Sequence, residues 1–253
     1  MAIDEALMEE ARHGRTVLRF YGWDPPCLSF GRNQPAHGLY DAEAAARRGI
    51  DVVRRPTGGR AVYHARELTY SVCAPDRQWG GPREAYRRVN EALARGLASL
   101  GLAVGLARPE DIAELAPAAD ACFGAPAPGE VVVATRKLVG SAQWRNRGSL
   151  LQHGSILLTD AQTVEAELRS PSAAAASLDA AASSRAAPPS PAVGLAELTS
   201  TVPERGLLEV ALAGGFELTF GREVRRGPLP ERALEEAGRL AVRYRDAAWT
   251  WRR

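Results

Sequence analysis

The order of apolar and polar positions divides the chain into short elements. Ile3, Ala6, Leu7 and Glu10 keep helical spacing, and Gly14 stands where a helix stops. "TVLRFYGW" (16–23) reads as a strand closed by the turn signal Asp24-Pro25-Pro26, and "CLSFG" as a second short strand. "DAEAAARRG" (41–49) predicts a helix between the N-cap Asp41 and the stop Gly49. Strand "IDVVRR" delivers the chain to "PTGGR", and "AVYHARELTYSV" is expected to return as strand. A long helix is predicted over 82–100, with Tyr86, Val89, Leu93, Leu97 and Leu100 as its apolar stripe and Gly101 as its stop. Strands are expected at 130–135, 137–144 and 150–158, the second opening at Lys137 and turning at Gly140-Ser141.

"SPSAAAASLDAAASSRAAPPSPAVG" (170–194) holds too few large apolar residues to build a core, so a mobile loop or a partly helical excursion is expected there. "PERGLLEVALAGGF" (203–216) places Pro at a helix start, "FELTFG" (216–221) reads as a strand, and 229–249 as a final helix. Short strands interleaved with helices predict a single α+β (mixed α/β) domain over 1–253, with a catalytic face built from loops.

Composition narrows the class. A hydrophobic fraction of 45% and a charged fraction of 25% are ordinary for a globular protein, and a formal charge of +2 leaves no footprint for nucleic acid. No apolar run is long enough to span a membrane, and the acidic start is unlike a signal peptide. Three widely spaced cysteines argue against a disulfide framework and against a zinc site, so reduced thiols and a cytoplasmic setting are expected, with no metal.

Three stretches could carry chemistry. In "RRPTGGRAVYH" (54–64), Pro56 and Gly58-Gly59 turn the backbone and leave main-chain N–H groups open to a ligand, while Arg54, Arg55 and Arg60 would favour an anionic or polarised group. A plain hairpin with solvated arginines is the alternative. In "RKLVGSAQWRNRG" (136–148), Lys137 is either a strand-end charge or a site lysine. Cys27 and Cys73 sit inside apolar strands and read as buried fillers, whereas Cys122 falls in a predicted loop, where a thiol can be reached. His64 and His153 invite a Cys–His pairing, or are strand histidines packed with their tips hydrogen-bonded.

"MAIDEAL", "LRFYGWDPPCLSFGRNQ", "GIDVVRRPTGGRAVYHARELTYSV", "DACF" and "KLVGSAQWRNRGSLLQHGSILL", taken in order, resemble the biotin/lipoate protein ligase family, nearest to its cysteine-using octanoyltransferase branch. The resemblance is dense over 1–160 and thinner over 195–253. It implies mixed sheets flanked by helices and a tunnel for a medium-length acyl chain. Arg54, Arg55, Thr57, Gly58, Gly59, Arg60 and His64 would line that tunnel, with Gly140, Ser141, Ala142, His153 and Gly154 opposite. Cys122 matches the acyl-accepting nucleophile and Lys137 the site lysine. The resemblance also implies octanoyl-acyl carrier protein as donor and a lipoyl domain protein as acceptor (glycine cleavage H protein or dehydrogenase E2), without ATP or cofactor.

The chain departs from the family in three places. It begins almost inside the first helix, as a truncated start would. "APAPGEV" keeps the acidic Glu130 but lacks an aromatic, and the 170–194 insertion is private to this sequence. An ATP-dependent lipoate–protein ligase shares the fold and the 54–60 loop but usually adds a C-terminal accessory domain. A lipoyl-domain-to-lipoyl-domain amidotransferase and a non-catalytic binder are the remaining readings.

Overall fold

Helix punctuation in the chain is obeyed locally. Just beyond α1 (Ala2–Arg12) and α2 (Ala42–Arg47), Gly14 and Gly49 take φ of 88° and 65°, which a side chain would disfavour. The Asp41 carboxylate accepts a hydrogen bond from Ala44 N at 2.9 Å and so caps α2. The computed structural model describes residues 1–112, 123, 126–170 and 192–252. Cys122 and most of the predicted 170–194 loop lie outside the described residues.

The other elements follow in chain order. β1 (Val17–Tyr21), β2 (Cys27–Phe30), β3 (Asp51–Arg54), β4 (Val62–His64) and β5 (Glu67–Pro75) precede α3 (Pro82–Ala98). Next come β6 (Gly105–Leu106), α4 (Pro109–Ile112), β7 (Val131–Val133), β8 (Arg136–Lys137), β9 (Val139–Asn146) and β10 (Ser149–Leu157). The chain continues through α5 (Thr163–Glu167), α6 (Leu195–Leu198), α7 (Arg205–Phe220), α8 (Glu231–Arg245) and α9 (Ala247–Thr250). Among the described residues the strands form an antiparallel sheet β1-β5-β10-β9, a mixed sheet β3-β2-β4 and an antiparallel sheet β6-β7-β8. The predicted mixture of sheets and flanking helices is what forms.

Alternation along β5 and β10 sorts the core. Leu68, Tyr70, Val72, Leu150 and Ile156 meet Val89, Leu93 and Leu97 of α3 and Leu208, Leu212 and Phe216 of α7. On the opposite face, Cys73 and Leu151 meet Leu7, Met8 and Ala11 of α1 and Ala233 and Ala237 of α8.

Four expectations need correcting. "AVYHARELTYSV" is two strands, because β4 pairs with β2 while β5 pairs with β1 and β10. Gly140-Ser141 is not a turn. It lies inside β9, opposite Ser155 and Gly154, and the chain reverses at Arg147-Gly148. "FELTFG" is not a strand but the end of α7, because helical spacing stacks Phe216 on Phe220 and Phe220 on Trp79. The final helix breaks at Asp246, which is extended and caps the separate α9 through Ala248 N. In addition, the end of the predicted 170–194 loop is packed: Val193 N donates to Lys137 O at 3.0 Å, and Ala192 and Val193 are buried.

Helices α3 and α7 cross where side chains would not fit. A Cβ on Gly215 would meet Ala92 O at 2.2 Å, and one on Gly96 would meet Leu212 Cα at 2.6 Å, whereas one on Gly214 would meet nothing. Gly215→Leu is expected to cost at least the 1–3 kcal/mol usual for overpacking, ~2 kcal/mol or more, read from the denaturant midpoint. Gly214→Ala, in the same helix, should be neutral or stabilising.

Candidate active site

A narrow pocket opens where β9 and β10 meet the loop that follows β3. Of the residues expected from the sequence, Arg55, His64, Gly140, Ser141, Ala142, His153 and Gly154 line it, joined by Met1, Tyr21, Trp23, Val62, Thr69 and Ser155. Its floor is backbone by necessity. A Cβ on Gly154 would lie 2.2 Å from Gly140 O and 2.8 Å from the Tyr70 ring, so only glycine lets the two strands and the tyrosine close together.

The loop 54–60 divides its work. Arg54 is fully buried and does not line the pocket. Its Nη1 donates to Gly31 O and Gln34 O, both at 2.6 Å, while Nε and Nη2 reach Trp249 O, Thr250 O and Arg252 O. Burial lowers its pKa to about 10. This guanidinium ties the C-terminal turn to β3. Arg55 turns to the pocket, but it too satisfies main-chain oxygens, donating to Ser29 O at 2.9 Å, Arg60 O at 2.8 Å and Gly58 O at 3.2 Å. Gly58, Gly59 and Arg60 are exposed at the bend, with Gly59 at φ 95°. Gly59 O packs so close to Gly31 that a Cβ on Gly31 would stand 1.8 Å from it. Thr57 is buried, and its hydroxyl lies 2.7 Å from His153 Nε2.

Both histidines have both ring nitrogens engaged. His64 Nδ1 lies 2.7 Å from Glu67 Oε1, which therefore accepts its proton, and Nε2 lies 2.6 Å from the Ser29 hydroxyl, with Trp23 stacked on the ring at 4.4 Å. His153 Nδ1 faces Asp4 Oδ2 at 3.2 Å. Burial lowers the His153 pKa despite Asp4. Burial alone would raise the Asp4 carboxyl, but the hydrogen bond from His153 and the nearby positive charges, Arg19 among them, hold it well below the usual carboxylate range. The packed, hydrogen-bonded alternative describes both rings.

Lys137 does not line the pocket. It is buried beside it, 2.8 Å from Glu130 Oε2, with Nζ 5.2 Å from the centroid of the Phe123 ring. Phe123 in turn lies against the pocket wall, for a Cβ on Gly140 would meet its Cζ at 2.7 Å. An aromatic residue therefore does stand beside the lysine, supplied by the position after Cys122. Cys27 and Cys73 are buried as expected. Burial pushes the Cys27 thiol up to about 12 and that of Cys73 well above its ordinary value. Sequence reasoning did not assign the Glu130–Lys137 pair or the Asp4–His153–Thr57 chain. One signal for the first was available: Lys137 is the only lysine in the chain.

With this geometry in place, the comparisons with known proteins identify the class. The model of the lipoyl protein ligase A/B catalytic domain matches residues 1–200, and the chain belongs to that family. It is 42% identical to the protein named octanoyltransferase LipM of Kyrpidia tusciae, covering 100% of this chain and 94% of that one. It is 39% identical to the protein of the same name from Moorella thermoacetica, covering 100% and 93%. Among solved structures, a bi-partite lipoate protein ligase from Thermoplasma acidophilum superposes with a TM-score of 0.76 at 23% identity, over 99% of this chain and 89% of that one. A lipoate-protein ligase A bound with ATP gives 0.75 at 22%, over 99% and 92%. At those identities the solved structures establish the fold.

The histidine–aspartate contact sets a pH dependence. An unfolded chain binds a proton on His153 near pH 6.5 while the folded chain resists it, so this stability is complete above that pH and is lost below it. Asp4, depressed on folding, contributes stability above about pH 4 that is lost on further acidification. Denaturant unfolding measured between pH 8 and 3 (about the span of both groups) should therefore show falling stability. Asp4→Asn should flatten the lower limb.

Proposed function

We propose that this chain is an octanoyltransferase that moves an octanoyl group from acyl carrier protein, through a thioester on Cys122, to a lysine of a lipoyl carrier domain. The reading is supported by relatives named octanoyltransferase that align along the whole chain. The observation that carries it is the seat of Phe123, which adjoins Cys122 in sequence and packs between Lys137 and the pocket wall at Gly140. Of the chain's cysteines, Cys27 and Cys73 are too buried and too basic to serve.

In the first step the Cys122 thiolate attacks the donor's carbonyl carbon. The tetrahedral oxyanion collapses with loss of the carrier's thiolate, which takes up the proton that Cys122 gave away. Lys137 favours the thiolate and the oxyanion as a nearby cation. The tail lies in the pocket, whose glycine walls at 140 and 154 leave a narrow apolar slot beside Val62 and Trp23. In the second step the amine of the lipoyl domain attacks the enzyme thioester. The C–N bond forms, the C–S bond breaks, and the amine's proton passes to the departing sulfur. Thioester exchange is nearly balanced and thioester-to-amide transfer runs downhill, so no ATP is consumed. The reduced thiol this needs suits the cytoplasm. The acceptors would be lipoyl domains of the dehydrogenase E2 or glycine cleavage H protein type.

Intact mass after incubation with octanoyl-acyl carrier protein and a lipoyl domain, without ATP, tests this. One octanoyl group on the enzyme, removable by hydroxylamine and absent in Cys122→Ser, is expected, followed by transfer to the domain. Lys137→Met should slow transfer by about 10²–10³-fold, the loss seen when an oxyanion donor is removed. Modification of the domain only when free acid and ATP are supplied would replace this reading with a ligase.

A further inference from the structure

An enzyme whose reaction ends on a lysine amine carries a hazard. An amine of its own beside the thioester would capture the acyl group first and trap it as an amide. Among side chains this chain meets that hazard at one place, because Lys137 is its sole lysine and the other basic side chains are arginine or histidine. That lysine stands against Phe123, the neighbour in sequence of the proposed nucleophile.

We propose that Glu130 is a positioning residue that holds Lys137 as an ammonium, so that this lysine serves the acyl group as a cation and never becomes its acceptor. The inference rests on the Cys122 reading above. Its chemistry is simple. A neutral amine has a lone pair with which to attack the thioester carbon, forming C–N, breaking C–S and releasing the Cys122 thiolate, which takes the amine's proton. An ammonium has none.

The geometry supplies the means. Glu130 Oε2 is 2.8 Å from Lys137 Nζ, and both side chains are nearly sealed from water, at 3% and 4% exposure. Away from water a lone ammonium would shed its proton, since buried lysines fall to a pKa of about 5–6, and an adjacent carboxylate opposes that. Glu130 cannot swing aside. Its Oε2 also accepts from Ala127 N at 2.8 Å, and its Oε1 accepts from the Tyr86 hydroxyl at 3.2 Å. The same hydroxyl lies 3.2 Å from Ser141 O in the pocket wall, which fixes the pair relative to the cavity.

Among the described residues, the other titratable groups near the pair are Tyr86 on α3, Tyr70 on β5, which meets the Ser141 hydroxyl at 2.7 Å, and Arg136 beside Lys137 on β8. Arg136 pairs with Glu197 at 2.9 Å and donates to Ala192 O. A compact ammonium suits this buried seat under an aromatic ring better than the planar fork of an arginine would.

The test exploits the single lysine. Full-length protein labelled only at lysine gives one side-chain NMR signal, and its titration reads Lys137 directly. In the wild type it should remain an ammonium through pH 9, about where a free lysine is still charged. In Glu130→Gln its midpoint should drop below about pH 8, and Glu130→Asp should restore it. Each protein is then incubated with octanoyl-acyl carrier protein and treated with hydroxylamine, which strips thioesters and spares amides. Glu130→Gln should retain one octanoyl group on Lys137, located by peptide mass. Wild type, Glu130→Asp and the Cys122→Ser/Glu130→Gln double variant should retain none.

A wild-type Lys137 that deprotonates near neutrality overturns the proposal even if Glu130→Gln does not fold. So does a Glu130→Gln protein whose lysine titrates as in wild type and takes no octanoyl group. Failure of the Cys122 reading looks different: the wild type then carries no hydroxylamine-labile group at all, while the NMR titration still reports whether Glu130 sets the charge of Lys137.

Discussion

Strand β10 is buried along nearly its whole length, yet it carries Gln152, His153 and Ser155. A buried polar group left without a partner costs about 1–3 kcal/mol, so each of these must be met, and no neighbour within β10 can meet them. The partners come from all over the chain. Asp4 of α1 and Thr57 of the glycine loop take the two nitrogens of His153. Glu67 of β5 accepts from Ser155 at 2.7 Å, and Gln152 donates to Tyr70 and to Asn90 of α3, each at 3.2 Å. Satisfying one strand therefore fixes a helix on each face of the sheet and the loop over its edge. The pocket is the space those partners enclose.

The same constraint explains which charges are open to chemistry and which are spent. Arg54 and Arg55 are cations beside a pocket, but their guanidinium groups are committed to main-chain oxygens, and they hold the loop and the C-terminal turn in shape. His64 and His153 are likewise held between a hydroxyl and a carboxylate. Lys137 is different in kind. Its partner Glu130 sits on the approach to β7, and the short β7–β8 hairpin folds the two together at the wall of the pocket. Under the proposed reading, a cation held there by Glu130 is in place before substrate arrives, as stabilising a developing oxyanion requires.

Much of this was legible in the residues. Gly14, Asp41 and Gly49 mark the ends of helices because caps and left-handed glycines act over a turn or less. Cys27 and Cys73 read as fillers because apolar residues adjoin them in sequence, and both are buried. The blocks around 54–64 and 137–155 carry enough specific residues to point to the family and to the pocket that they share. Misreadings have physical causes too. "FELTFG" alternates as a strand does, and it becomes helix only because α3 offers a groove for Leu212 and Phe216. Arg54 resembles an anion site until the carbonyls of Trp249, Thr250 and Arg252 arrive from the far end of the chain. The Gly140-Ser141 pair looks like a turn, and it is a strand interior because Gly154 opposite lets β9 approach.

What the sequence determined alone was the menu: where elements start and stop, the mixed α and β class, and which side chains have the chemistry to act. Those properties depend on forces that reach only a few residues along the chain. Tertiary structure decided which of those side chains keep a free valence. Hydrogen bonding and charge state belong to pairs, and the partners of Arg54, His153 and Lys137 are chosen by how distant segments pack.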